Sequence, residues 1–298
     1  MHGEHAPGPV TATRDGDVLL VTIDNPPVNA LSHAVRNGLL AAVALLETDA
    51  SLRAMVVAST GRTYIGGADI REFSGPRLDP LLNRVCATID SCDKPIVAAI
   101  HGAALGGGFE VALAAHARVA APRVEVAFPE VLLGLLPGAG GTQRAPRLCG
   151  ADVALDLMLT GKRLSAHAAM AAHLIDVVDD EPVPTALKLA RALASQEAPL
   201  PRARDGRALD NREATDSAIA AARASLPEQH VGLYSPARII DCVERAATLP
   251  FDEGCAYEAQ AFVDCLASPQ RAVLVERFFA ERAARKGPPA TPGSADPS

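Results

Sequence analysis

HGAALGGGFE, His101 to Glu110, follows the wholly apolar run Pro95 to Ile100 and leads into Val111, Leu113 and Ala114. A short apolar run of that kind predicts a strand buried on both faces, and the apolar segment after it predicts a helix starting near Gly107. Glycine in a helix costs roughly 1 kcal/mol relative to alanine, so three successive glycines at a helix start need a reason. Either a neighbouring backbone packs closely there, or free N–H groups at the helix start point at an oxygen, aided by the positive end of the helix dipole. The glycines alone do not choose between these. Glu110, one turn into the helix, suits the dipole, and that preference assigns it no chemistry.

Outward from this segment the chain alternates. VLLVTI, Val18 to Ile23, is β-branched and bounded by Asp15-Gly16 and Asn25-Pro26-Pro27, which predicts a strand between turns. Ser32 can cap a following helix in which Leu39, Leu40, Val43 and Leu46 recur at helical spacing up to Asp49. A strand over Ala54 to Ala58, a loop over Tyr64 to Ile70 and a helix over Leu81 to Ile89 come next. Alternating strands and helices over about the first 180 residues predict a layered α/β fold. From Pro182 onward only helices are expected: Ala186 to Ala194, Ala218 to Ala224, Arg238 to Leu249, Ala256 to Leu266, and Ala272 to Ala284 behind the capping pair Ser268-Pro269. Pro199 to Asp216 reads as a linker or surface wrap, and the Pro/Gly/Ser-rich end as a disordered tail. The expected division is a core over 1–198, a helical region over 199–286 and a tail over 287–298.

Composition excludes several classes of function. With 298 residues, 49% hydrophobic and 21% charged, the chain can bury a sizeable core. A net charge of -7 and a pI near 5.6 leave no basic field for nucleic acid or an anionic membrane. The six cysteines contain no C-x-x-C pair, so neither a zinc site nor a redox pair is expected. The opening shows no secretory signal and no run of apolar residues is long enough to span a membrane, so a cytoplasmic protein is expected.

A second informative segment is VEVAFPEVLLGLLPGAGGTQR, Val124 to Arg144. Glu130 follows Pro129 among apolar neighbours, where a carboxyl is costly unless paired or protonated, and burial raises its pKa toward that of a useful acid or base. The ordinary alternative is an ion pair with Arg123 or Arg144. Gly134, Gly138, Gly140 and Gly141 turn into another helix, but G-A-G-G-T-Q is not a dinucleotide fingerprint and no P-loop occurs. A third segment, RTYIGGADIREF, Arg62 to Phe73, reads by itself as a turn leaving a strand.

In this order and spacing the three segments closely resemble the crotonase, or enoyl-CoA hydratase/isomerase, family, whose fold is a spiral of ββα turns. The likeness runs from VLLVTIDNPPVNALS through KPIVAAIHG to LTGKRLSAHAA. It implies that the backbone N–H groups of Ala68 and Gly107 form an oxyanion hole for a thioester oxygen. It further implies that Glu110 and Glu130 act around one water, that Gly138 contacts that water, and that Val28, Ala30, Gly67, Asp69 and Ile70 lie along the coenzyme A moiety. Two positions depart from the family pattern: Gly66 replaces the usual alanine or serine, and His173 stands where glycine is usual. SPARIIDCVERAATLPFDEG and RFFAERAARK resemble the hydratase half of multifunctional β-oxidation proteins, just before their dehydrogenase half would begin. The chain ends there, which implies a stand-alone relative of that type.

The implied reaction is addition of water to a trans-2-enoyl-CoA in acyl-CoA catabolism, with no cofactor, coenzyme A being part of the substrate. Glu110 would take the proton of the water and Glu130 would give one to the α-carbon. A Δ3,Δ2-enoyl-CoA isomerase using Glu130 alone is the near alternative, and a non-catalytic binding protein of this fold a remoter one. A serine peptidase is disfavoured, because no serine or threonine lies between His101 and Glu130. His33, His101, His116 and His167 show no ligand spacing and are expected to serve packing or the surface. The resemblance implies trimers or pairs of trimers, and the multifunctional-type ending admits a monomer. Chain-length preference is expected to depend on apolar residues near Phe73 to Val85 and on the C-terminal helices.

Overall fold

The computed structural model describes residues 8–69, 71, 72, 75, 77–226 and 233–285. β1 (Val10–Asp15) and β2 (Val18–Ile23) form a hairpin, then α1 (His33–Thr48), β3 (Ala54–Ser59), α2 (Leu82–Ser91) and β4 (Ile96–Ile100) alternate as expected. β5 (Ala103–Leu105), α3 (Gly107–Ala114), β6 (Ala117–Ala120) and β7 (Glu125–Ala127) precede α4 (Gly141–Thr160), whose helical geometry breaks at Gly150. β8 (Leu164–Ser165), α5 (Ala166–Ala171), β9 (Val177–Val178) and α6 (Pro182–Ala194) complete the α/β part. The helical remainder is α7 (Arg212–Ala224), α8 (Tyr234–Thr248), α9 (Phe251–Ala267) and α10 (Pro269–Arg285).

The larger sheet runs β1-β2-β3-β4-β6-β9, with only the β1–β2 pair antiparallel, while β5-β7-β8 forms a smaller sheet. Period-two alternation sends Val18, Val56, Val97 and Val119 to one face, where Ala186, Ala190 and Leu193 of α6 cover them. Leu19, Val21, Met55, Val57, Ile96 and Ala98 face the main core with α1, α2 and α3. Ser32 caps α1 as expected, its Oγ accepting from Val35 N at 3.4 Å.

The segment 199–216 is a surface wrap with anchors rather than a free linker. Ala203 and Leu209 are buried, Arg204 pairs with Asp90, and the segment's last residues already belong to α7. Ile239, Ile240, Val243, Ala261 and Cys265 of α8 and α9 join the main core, so the helical region completes one hydrophobic interior with the sheet. α10 begins at Pro269 as expected and rests on Gly134 through Leu274 and Arg271. The tail expected over 287–298 lies outside the described residues. Among the described residues no helix is long and apolar enough to cross a membrane. All six cysteines are free.

Candidate active site

β4 and β5 deliver the chain to Gly106, whose φ of 52° lets the backbone turn into α3. The close-packing reason for the glycine run is met, and a free amide stands where the other reason requires one. A side chain on Gly108 would collide with the carbonyl of Ile65, so α3 starts in close contact with a neighbouring backbone. The amide of Gly107, at the positive end of α3, donates to no protein acceptor among the described residues, and neither does that of Ala68. The two lie close: Ala68 N is 3.5 Å from the point a Cβ on Gly107 would occupy. The Ala68 loop is held from behind, Gly66 N donating to Val28 O at 2.8 Å and Leu31 N to Gly67 O at 2.9 Å.

Glu110 is buried one turn into α3, and its Oε1 accepts from Ala139 N at 2.7 Å and Gly141 N at 2.8 Å. Burial pushes its carboxyl up to about 7, while those two amides and the Arg144 charge pull the other way. Glu130 sits in a 3-10 turn, Pro129–Leu133. It is partly exposed as a residue, yet its Oε2 is sealed from solvent and has no hydrogen-bond partner among the described residues. The ion pair considered for Glu130 does not form with Arg144, whose guanidinium faces Asp90 at 3.5 Å and donates to Ala139 O at 3.1 Å. Glu130 is therefore raised well above the ordinary carboxyl range, first by burial, then by the charges of Glu110 and Glu258.

One cavity brings Ala68, Gly107, Glu110, Glu130 and Gly138 together, with Gly67 and Asp69 on its wall. Asp69 is tied there by Arg71, whose charge and hydrogen bonds hold its carboxyl below the usual range. Val28 and Ala30 do not line the cavity; Val28 supports the Gly66 amide, and Ala30 O accepts from Asn25 Nδ2 at 2.7 Å. Ile70 lies outside the described residues. The rest of the wall mixes Arg36, Glu72, Arg77 and Asn83 with apolar residues that include Leu81, Leu82, Phe262 and Leu266, in the regions expected to set chain length. Among the described residues no histidine lines it and no cluster of metal-ligating side chains occurs.

Two contributors escaped sequence reading, Glu258 and Phe262, both on α9. The buried positions of α9 are Gly254, Glu258, Ala261 and Cys265, so a carboxyl stands in an otherwise small and apolar stripe at helical spacing. That misplaced acid was the available signal. Glu258 Oε1 accepts from Gly140 N at 2.5 Å, and its Oε2 from Thr142 N at 2.9 Å and Thr142 Oγ1 at 2.5 Å.

A largely parallel sheet leads to a cavity where two carboxyls and two unclaimed amides meet, an arrangement that can perform acid–base chemistry beside a developing oxyanion. The sequence profile described as enoyl-CoA hydratase/isomerase matches residues 13–203, and the chain belongs to this family, with the crotonase fold. It is 39% identical over 280 residues to the peroxisomal bifunctional enzyme of Danio rerio, covering 90% of this chain and 37% of that protein. It is 35% identical over 289 residues to the fatty acid oxidation complex subunit alpha of Shewanella amazonensis, covering 92% and 41%. The chain thus spans less than half the length of these two relatives. A probable enoyl-CoA hydratase of Bacillus subtilis is 41% identical over 190 residues, covering 61% of this chain and 73% of that protein. The crystal structure of an enoyl-CoA hydratase/isomerase from Pseudoalteromonas atlantica superposes with a TM-score of 0.69 at 25% identity, over 92% of this chain and 97% of that one.

Proposed function

We propose that the chain is an enoyl-CoA hydratase, adding water across the double bond of a trans-2-enoyl-CoA to give the 3-hydroxyacyl-CoA. The observation that carries this reading is the unequal treatment of two carboxyls in one cavity. Glu110 accepts two backbone amides, which favour its ionised form, whereas burial and the neighbouring charges of Glu110 and Glu258 act on Glu130 against only its own backbone amide and leave its Oε2 unpartnered, which favours its protonated form.

Glu110 then takes a proton from water as the hydroxyl adds to the β-carbon. Electron density moves to the thioester oxygen, where the Ala68 and Gly107 amides stabilise the enolate, and Glu130 delivers its proton to the α-carbon. Gly138, on the wall between the acids and Phe262, is suited to contact the water. The coenzyme A moiety runs past Gly67 and Asp69 toward the Val28–Ala30 loop. Nothing in this sequence requires a metal or redox cofactor, since acid, base and oxyanion donors supply every proton and charge movement.

The test is hydration of crotonyl-CoA, followed by loss of the enoyl-thioester absorbance. Glu110→Gln and Glu130→Gln should each lower kcat by about 10²- to 10⁴-fold with the fold retained; near-normal turnover in either overturns the assignment. The fixed, doubly bonded Glu110 Oε1 also suits a Δ3,Δ2-enoyl-CoA isomerase in which Glu130 alone moves the proton. Comparing 3-enoyl and 2-enoyl substrates separates the two reactions.

A further inference from the structure

Four consecutive amides at the start of α4 are claimed alternately by two buried carboxylates. Ala139 N and Gly141 N donate to Glu110 at 2.7 and 2.8 Å, while Gly140 N and Thr142 N donate to Glu258 at 2.5 and 2.9 Å. Thr142 Oγ1 adds a third donor to Glu258, and Arg144 holds the carbonyl of Ala139. The loop is therefore gripped from both sides, by α3 of the α/β part and by α9 of the helical region. Glu110 has no other hydrogen-bonded hold on its Oε1 among the described residues, so its place in the cavity depends on where this loop lies.

We propose that Glu258 is a positioning residue for Glu110: by clamping Ala139–Thr142 from the far side, it lets the C-terminal helical region set the geometry of the catalytic base. This rests on the hydratase reading. Removing the clamp leaves three donors at the α4 start without their acceptor, and the loop can then relax, carrying Glu110 with it. A displacement of about 1 Å at a reacting group can cost about 100-fold in rate. Substrate binding, which uses other walls of the cavity, should change little.

Charge offers a second readout. Glu258 is faced by Glu110 on α3, Glu130 in its turn, Arg144 on α4, Cys86 on α2, Cys242 on α8 and Cys255 on its own helix. Burial and the Glu110 charge push Glu258 up to about 8. Below about pH 8 it is protonated and neutral, so Glu258→Gln leaves the acid limb set by Glu110 in place; above that its charge favours the proton on Glu130, so only the alkaline limb moves toward acid.

The experiment measures kcat, KM and the kcat–pH profile of crotonyl-CoA hydration for the wild type, Glu258→Gln, Glu110→Gln and the double variant, with thermal unfolding of each. Glu258→Gln should lower kcat by about 10- to 100-fold, leave KM within about three-fold, keep the acid limb in place and move the alkaline limb downward. In the Glu110→Gln background it should have almost no further effect, because a residue acting through Glu110 has nothing left to position. If Glu258→Gln does not fold, Thr142→Val removes one of the three donors alone, and its smaller loss of kcat should likewise vanish in the Glu110→Gln background. An active wild type whose Glu258→Gln turnover is unchanged, or whose loss is fully additive with Glu110→Gln, overturns the assignment. A wild type that hydrates no enoyl-CoA overturns the hydratase reading and this assignment together.

Discussion

Gly106 concentrates the demands on a single residue. Its φ of 52° lies in the left-handed region, and a Cβ there would come within 2.5 Å of Glu130 Oε1. Gly106→Ala should therefore act twice, straining the backbone by about 1–2 kcal/mol and pushing the Glu130 carboxyl out of the cavity. The expected outcome is a modest fall in the unfolding midpoint with a loss of kcat approaching that of Glu130→Gln; wild-type kcat would sink the argument. The two acids also predict a pH profile. Glu110 works as a base only when ionised, and burial raises it to about 7, so kcat should decline as pH falls through that value. Steady-state rates between pH 5 and 9 check this, and the decline should be absent from the residual activity of Glu110→Gln.

At the level of elements, α5 shows what one departure from the family pattern costs. His173 follows the helix at φ 60°, donating from its N–H to Met170 O at 3.0 Å, while Leu174 N reaches Ala169 O at 2.9 Å. This is a Schellman ending, with buried Leu174 supplying its apolar contact, and its left-handed position normally takes glycine. His173→Gly should stabilise the protein by about 1 kcal/mol or somewhat less, glycine's greater freedom in the unfolded chain offsetting part of the relief. Denaturant unfolding would show it, and a destabilised variant would mean that the imidazole makes contacts worth more than the strain. The hydrophobic pattern located β2, α1, β3, α2, β4 and α3 to within two residues, because each presents a buried face of the right period. It missed β1, whose residues after Val10 are all exposed: that strand exists through backbone pairing with β2, which leaves no trace in side-chain polarity. Glycine runs and isolated acids in apolar company drew attention to the segments holding Glu110 and Glu130, whereas Ala68, Gly107 and Gly138 came from the family resemblance; the structure brings all five to one cavity. Val28 and Ala30 were placed along the coenzyme A moiety by motif alone, and they do not line the cavity. Glu258 stayed hidden because its partners lie more than a hundred residues away in sequence.

Across the whole molecule, the meeting of the α/β part and the helical region gathers three buried carboxyls, Glu110, Glu130 and Glu258, against the nearby charge of Arg144. Such a cluster makes stability depend on pH in a direction that can be worked out. Glu110 and Glu258 are raised from an ordinary 4.5 to about 7 and about 8, and Glu130 is raised as well, so the folded protein holds protons that the unfolded chain has released. Their stabilising contribution is complete below about pH 4.5 and is lost as pH climbs through the folded values. His116 works in the opposite sense: burial holds it down to about 4, so acidification below its ordinary 6.5 favours unfolding. The two effects oppose each other between about pH 4.5 and 6.5 and separate above that window. The buried cysteines, raised from an ordinary 9, add their own loss of stability only at more alkaline pH. Between pH 6.5 and 8 the unfolding midpoint should therefore fall, by about 5 °C for a chain of this size. In Glu258→Gln, which cannot ionise, the fall should be clearly shallower, and a midpoint that stays level or rises in the wild type would show that the three acids do not carry protons into the folded state.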